Sequence, residues 1–228
     1  LEATNALLNK CDLYKAQKLI FPIGNDFFHV NGDSNTTKRG TPQDVSTKSK
    51  HAFRLGLHTI RQAIDQCLYY YPHIEIPVIY GNHDPDKTFY LGEALSAIYE
   101  NNQKVTINNQ FVKRKYYTHG TNLLGFAHGD QLKRKLDQIP AIMADEASEH
   151  WHNTKHRILY LGDLHHIQTF KFLAAKDKIG VEARFLRSVG GTDKWHHDSA
   201  YIGVPKTAHA SIFHKTEGPM VLDIRQHF

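Results

Sequence analysis

Four times in this chain an apolar run gives way to Asp, Asn or His beside a glycine. The segments are IFPIGND (20–26), VIYGNHD (78–84), LLGFAHGD (123–130) and ILYLGDLHH (158–166). Short apolar runs bounded by turn residues read as buried strands. Ligands of open α/β sheets bind beyond the carboxyl ends of their strands. A glycine at that point lets the backbone turn sharply, so polar side chains from separate strands can gather. The pattern therefore calls for a sheet whose strand ends present Asp26, Asn82, His83, His128, Asp163 and His165.

The stretches between these runs supply the other elements. Residues 2–17 have helical spacing at Ala6, Leu7, Leu13 and Ala16. Residues 18–23, KLIFPI, read as a strand whose pairing is weakened by Pro22, which has no N–H to give a ladder. Residues 31–47 are polar and turn-rich and form a long loop. A helix is expected over 51–71, with Phe53, Leu57, Ile60, Ile64 and Leu68 on one face, followed by a strand over 74–80. Asp84-Pro85 reads as an N-cap with proline at the first helical position, opening a helix to about residue 100. Later come strands over 105–107, 111–118 and 122–127, a helix over 139–151, and strands over 157–161, 167–174, 181–188, 209–214 and 220–224. Helix and strand alternate early and strands dominate late, which predicts a layered α/β fold around central sheets. No internal repeat or linker divides the chain, so one domain over 1–228 is expected.

Composition narrows the classes. A chain of 228 residues with 40% hydrophobic content can bury a sizeable core. With 22% charged residues it is not a disordered chain. No apolar run approaches the ~20 residues of a membrane span, and the first residues do not read as a signal peptide. Cys11 and Cys67 match no metal or redox spacing and read as reduced thiols of a cytoplasmic protein. The net charge of +5 and pI near 9.0 fit a phosphate-bearing partner. Seventeen histidines are a surplus that points to metal ligation or proton transfer.

The residue types at the strand ends agree with one another. Carboxylate, amide oxygen and imidazole together suit Mn, Fe or Zn. Two such cations about 3.5–4 Å apart can clamp a phosphoryl group and lower the pKa of a bound water to about 7. His83, beside Asn82, is placed to protonate a leaving oxygen.

On these motifs the chain resembles the calcineurin-like metallophosphoesterase superfamily. GND (24–26), GNHD (81–84), AHGD (127–130) and GDLH (162–165) stand where that superfamily has Gly-Asp, Gly-Asn-His-Asp/Glu, His and Gly-His-x-His. GNDFFHVN, GTPQD, RKYY, GVEARFLRS and DKWHH are also similar to a phage- and prophage-associated branch. The resemblance implies a four-layer αββα sandwich with mixed central sheets and two divalent cations, Mn²⁺ foremost and Fe or Zn as alternatives. It implies that Asp26 bridges the cations, that Asn82, His128 and Asp163 complete one site, that His165 serves the other, and that His83 is the acid at the leaving group. His29, His166 and Lys133 are candidate substrate contacts.

The chain departs from the superfamily in two places. No Asp-x-His precedes residue 24, so the expectation is that residue 1 is internal to a longer chain and the first motif lies upstream. Asp163 stands where the superfamily has histidine, and Asp can ligate the same metals. Other features are weighed more evenly. Asp33 and Asp44 belong either to a substrate channel or to a solvated loop. KRKYY (113–117) is either a nucleic-acid contact or an edge strand. Lys133-Arg134-Lys135 either neutralises phosphate or is an exposed helix face, and Asn31 and Trp195-His196-His197-Asp198 are further candidates for substrate contact. The expected activity is metal-dependent hydrolysis of a phosphodiester, with DNA or RNA as the substrate class. The alternative is a non-catalytic nucleic-acid-binding or interaction module on a degraded site. The oligomeric state is left open.

Overall fold

The computed structural model describes residues 1–132, 134–162, 168–172, 180–186 and 206–227. They fall into two compact units, one built on Leu1–Lys113 and the other beginning at Arg114.

The first unit is organised around a strand that is buried over Ile76–Ile79. Helix α1 (Glu2–Cys11) is followed by a 3-10 turn over Asp12–Tyr14 and by Lys15 in the left-handed region, so the expected helix over 2–17 stops five to six residues early. Strands β1 (Lys18–Ile20) and β2 (Ile23–Gly24) are two pieces of the expected strand, interrupted at Phe21-Pro22. Helix α2 (Ser49–Tyr70) leads to β3 (His73–Ile79), α3 (Pro85–Ile98) to β4 (Val105–Asn108). β3 pairs in parallel with β1, β2 and β4. Parallel neighbours need crossover connections, and the helices α2 and α3 provide them. This explains why the β3 sequence is apolar almost throughout: Ile74, Ile76 and Val78 are sealed within the core with Ile64, Cys67, Leu91 and Leu95.

The second unit has strands β5 (Arg114–His119), β6 (Asn122–Ala127), β7 (His156–Leu161), β8 (Gln168–Phe172) and β9 (Val181–Phe185) in the order β5-β6-β7-β9-β8. The β6–β7 and β7–β9 pairs are parallel, and the outer pairs are antiparallel. Helices α4 (Ile139–Glu146) and α5 (Ser148–Trp151) replace the single expected helix, which breaks at Ala147. Ile139 and Met143 of α4 share a core with Leu123, Leu159, Leu161, Ala183 and Phe185. A hairpin of β10 (Thr207–His214) and β11 (Gly218–His227) completes the unit. Asn122, fully buried, donates to the carbonyls of His119 and His214 at 2.8 Å each and so ties the β5–β6 turn to the hairpin. The expected mixed α/β class is what the structure has. Among the described residues no helix is long and apolar enough to cross a membrane, and both cysteines are free and buried.

A polar cluster links the hairpin to the sheet. His209 Nδ1 lies 2.8 Å from Asp223 Oδ1. Asp223 also pairs with Arg225 and lies 3.9 Å from Arg184, which itself bonds Glu182. Burial holds the His209 imidazole below its ordinary 6.5, against the opposing pull of Asp223. The Arg225 guanidinium, with His209, brings the Asp223 carboxyl down to about 2. A histidine lowered in the folded state stabilises fully above its unfolded pKa, and that stability is lost as pH falls below it. The aspartate contribution is complete above 3.8 and lost towards about 2. Wild type is therefore expected to lose urea-unfolding free energy relative to His209→Gln as pH is lowered from about 8 to about 5. A parallel pair of pH profiles would refute the burial argument for His209.

Candidate functional site

In the first unit β2 and β3 run in parallel with Ile23 opposite Val78 and Gly24 opposite Ile79. Both chains therefore leave the sheet side by side at the same end. Gly24, Asn25 and Asp26 then take left-handed backbone conformations in succession, with φ of 95°, 62° and 65°. A Cβ at position 24 would lie 2.4 Å from the Ile79 carbonyl oxygen, so only glycine fits there. Asn and Asp are among the side chains that best tolerate this region. The Asn25 N–H bonds the Ile79 carbonyl at 2.7 Å, which closes the turn.

The turn brings the Asp26 carboxylate onto the exit of β3. Asp26 Oδ1 accepts the His83 main-chain N–H at 2.8 Å, and Oδ2 lies 4.0 Å from His83 Nε2. Gly81 lies directly against this carboxylate: a Cβ there would stand 1.8 Å from Asp26 Oδ1 and 2.7 Å from the Asp26 nitrogen. The glycine of GNHD thus serves a contact as well as a bend. His29 donates its N–H to the Asp26 carbonyl at 3.0 Å, and its ring centroid lies 5.5 Å from that of His83. The structure therefore gathers Asp26, His29 and His83. Asn82 is half-buried between Gly81 and His83.

Asp84 behaves differently from expectation. It precedes α3 at the N-cap position but makes no capping bond with its side chain. Its fully buried carboxylate accepts the Phe28 N–H and the Thr88 hydroxyl instead. It fastens the 26–30 turn to α3, and it supports the site from behind. Asn31 is also elsewhere than expected: its side chain bonds Asp86. Asp33 makes a largely exposed pair with Lys50 at 3.4 Å, and Asp44 is exposed, as a solvated loop requires.

In the second unit His128 follows β6 directly and is buried. The parallel register sets Ala127 opposite Leu161, and the Gly162 N–H bonds the His128 carbonyl at 2.9 Å. The chain following β7 thus starts beside His128. Asp163, His165, His166, Lys133 and Trp195-His196-His197-Asp198 lie outside the described residues. The KRKYY segment proves to be an edge strand. Arg114 and Tyr116 both bond the Glu146 carboxylate, and Lys115 is buried, with its ammonium pushed down to about 8 by desolvation.

Donors of the type that suits Mn, Fe or Zn are therefore present as Asp26 and Asn82 in one unit and His128 in the other. Among the described residues no group of three or more His, Cys, Asp and Glu side chains is arranged to hold a metal ion. The fit rests on donor chemistry.

No family model and no curated protein matches the chain. Among solved structures it is similar to a conserved uncharacterized protein of Streptococcus pneumoniae, described as a predicted phosphoesterase, at 13% identity and a TM-score of 0.35 over 92% of this chain and 97% of that one. A likeness of that size carries no argument about this chain.

The Gly81 contact yields a direct test. Gly81→Ala must displace Asp26, and overpacking of this kind costs about 1–3 kcal/mol. The expected result is a lowered urea midpoint with an unchanged m-value. Unaltered stability would show that the carboxylate does not occupy this position.

Proposed function

We propose that this protein is a metal-dependent phosphoesterase that hydrolyses phosphodiesters, with nucleic acid as its substrate class. The observation that carries the reading is the contact of Asp26 with His83 at the adjacent ends of two parallel strands. The motif resemblance supports it, as does a net charge of +5, which favours a polyanionic partner.

Asp26 and Asn82 are the metal donors of the first unit, and His128, Asp163 and His165 those that the motif resemblance assigns in the second; the divalent cations such donors suit are Mn²⁺ foremost. When bound, such cations would supply charge neutralisation at phosphorus and lower the pKa of a water enough to provide hydroxide as the nucleophile at neutral pH. The protein's own groups do the rest. The Asp26 carboxylate keeps a fixed orientation because the His83 N–H binds one oxygen and Gly81 flanks it. His83 is about a quarter exposed, and among the described residues its Nδ1 makes no hydrogen bond, so the imidazole is the group assigned to carry a proton to the leaving oxygen. His29 beside it is a candidate to orient the substrate, as are His166 and Lys133.

Hydrolysis of bis-p-nitrophenyl phosphate with added Mn²⁺ tests the reading. Activity should require the metal and be removed by Asp26→Ala. His83→Ala should lower kcat about 10²–10⁴-fold, the usual contribution of a general acid. Cleavage of single-stranded and double-stranded DNA and of RNA then selects the substrate. Mn²⁺ binding by calorimetry without any hydrolysis would favour a binding module instead.

A further inference from the structure

The 31–41 loop is held to α3 by one carboxylate. Asp86, the second residue of α3, accepts the Asn31 side-chain amide at 2.7 Å and the Lys38 ammonium at 2.5 Å on the same oxygen, Oδ2. Its main-chain N–H returns a bond to Asn31 Oδ1 at 3.0 Å, so Asn31 and Asp86 grip each other in both directions. Lys38 first, and then Asn31, hold the Asp86 carboxyl below its ordinary 3.8.

The loop between these anchors is closed on itself. Asn31 N–H bonds the Thr36 carbonyl at 3.0 Å, Thr37 N–H bonds the Thr41 carbonyl at 2.9 Å, and Gly40 N–H bonds the Thr37 carbonyl at 2.9 Å. Thr37 is buried beneath this turn, and its hydroxyl accepts the Thr41 N–H at 3.2 Å. The turn delivers one bond to the site: the Lys38 main-chain N–H donates to the His83 carbonyl at 2.9 Å. The residue His83 is then held through both of its main-chain polar groups. Its N–H is fixed by the Asp26 carboxylate and its carbonyl by Lys38.

We infer that Asp86 is a positioning residue for His83, acting through the Asn31–Lys38 loop. The inference rests on the phosphoesterase reading for its catalytic meaning and on geometry alone for the clamp. Asp86 reaches no reacting group. It decides where Lys38 stands, and Lys38 fixes the carbonyl of His83. The side-chain pair of Lys38 and Asp86 is about half exposed on each partner, so it contributes little to global stability. A catalytic group displaced by about 1 Å loses on the order of 10²-fold in rate. Removal of Asp86 should therefore affect turnover far more than folding.

Amide hydrogen exchange and kinetics on the full chain test this together. In Asp86→Ala the Lys38 and His83 amides should exchange at least about tenfold faster while the α2 amides keep their rates. On bis-p-nitrophenyl phosphate with Mn²⁺, kcat should fall about tenfold or more with KM changed less than about twofold. Asp86→Asn should restore most of both, because its amide oxygen still accepts from Asn31. In a His83→Ala background Asp86→Ala should cost nothing further, since residues that act as a unit are not additive. Unchanged Lys38 and His83 exchange, or a full additive loss in that background, would overturn the inference. If wild type hydrolyses no phosphodiester, the phosphoesterase reading falls, and the exchange rates of Lys38 and His83 alone decide whether Asp86 positions His83.

Discussion

The parallel pairing of β2 with β3 is the constraint from which the candidate site follows. It fixes Gly24 opposite Ile79, and that register fixes where both chains emerge. A shift of one residue would turn Asp26 away from Gly81 and send the core residues of β3 to the wrong face. The register is held because Ile74, Ile76 and Val78 are buried within a core that α2 and α3 enclose. Hydrophobic packing of a strand thereby sets the position of a carboxylate.

Polar groups around Asp26 refine what the register begins. Three successive left-handed residues are costly for ordinary side chains. Bonds from Asn25 to Ile79, from Asp26 to the His83 N–H and from Asp84 to the Phe28 N–H hold the turn in place. Buried Asp84 is satisfied by a backbone donor and a hydroxyl, as a buried carboxylate must be. The second unit repeats one part of this logic. His128 leaves β6 where the parallel neighbour β7 also ends, and a main-chain bond joins the two exits.

Several features could be read from the sequence because they are local. The strand β6 over Asn122–Ala127 was legible to the residue, since a continuous apolar run bounded by turns has few other solutions. Helix α3 was legible from Asp84-Pro85, because proline has no N–H to lose at the first turn. The break of the first strand at Phe21-Pro22 was signalled by the same property of proline. The length of α1 was not legible: Leu13 and Ala16 continue the helical spacing, yet Lys15 turns left-handed. The role of KRKYY was not settled either, because Glu146, which binds Arg114 and Tyr116, lies some thirty residues away in sequence.

The sequence by itself determined which residue types stand at the strand ends, and so the chemistry available there: a carboxylate at 26, an amide at 82, imidazoles at 83 and 128. Glycine and proline impose their backbone preferences wherever they occur, so the turns were determined with them. Only the tertiary structure decided who touches whom. It set Gly81 against Asp26, gave Asp84 to Phe28 and Thr88 in place of a helix cap, and bound Asn31 and Lys38 to Asp86. Apart from the local Asp84–Thr88 bond, these pairs lie roughly 50 residues apart along the chain, and such contacts arise from sheet register and helix packing, which no short stretch of sequence encodes.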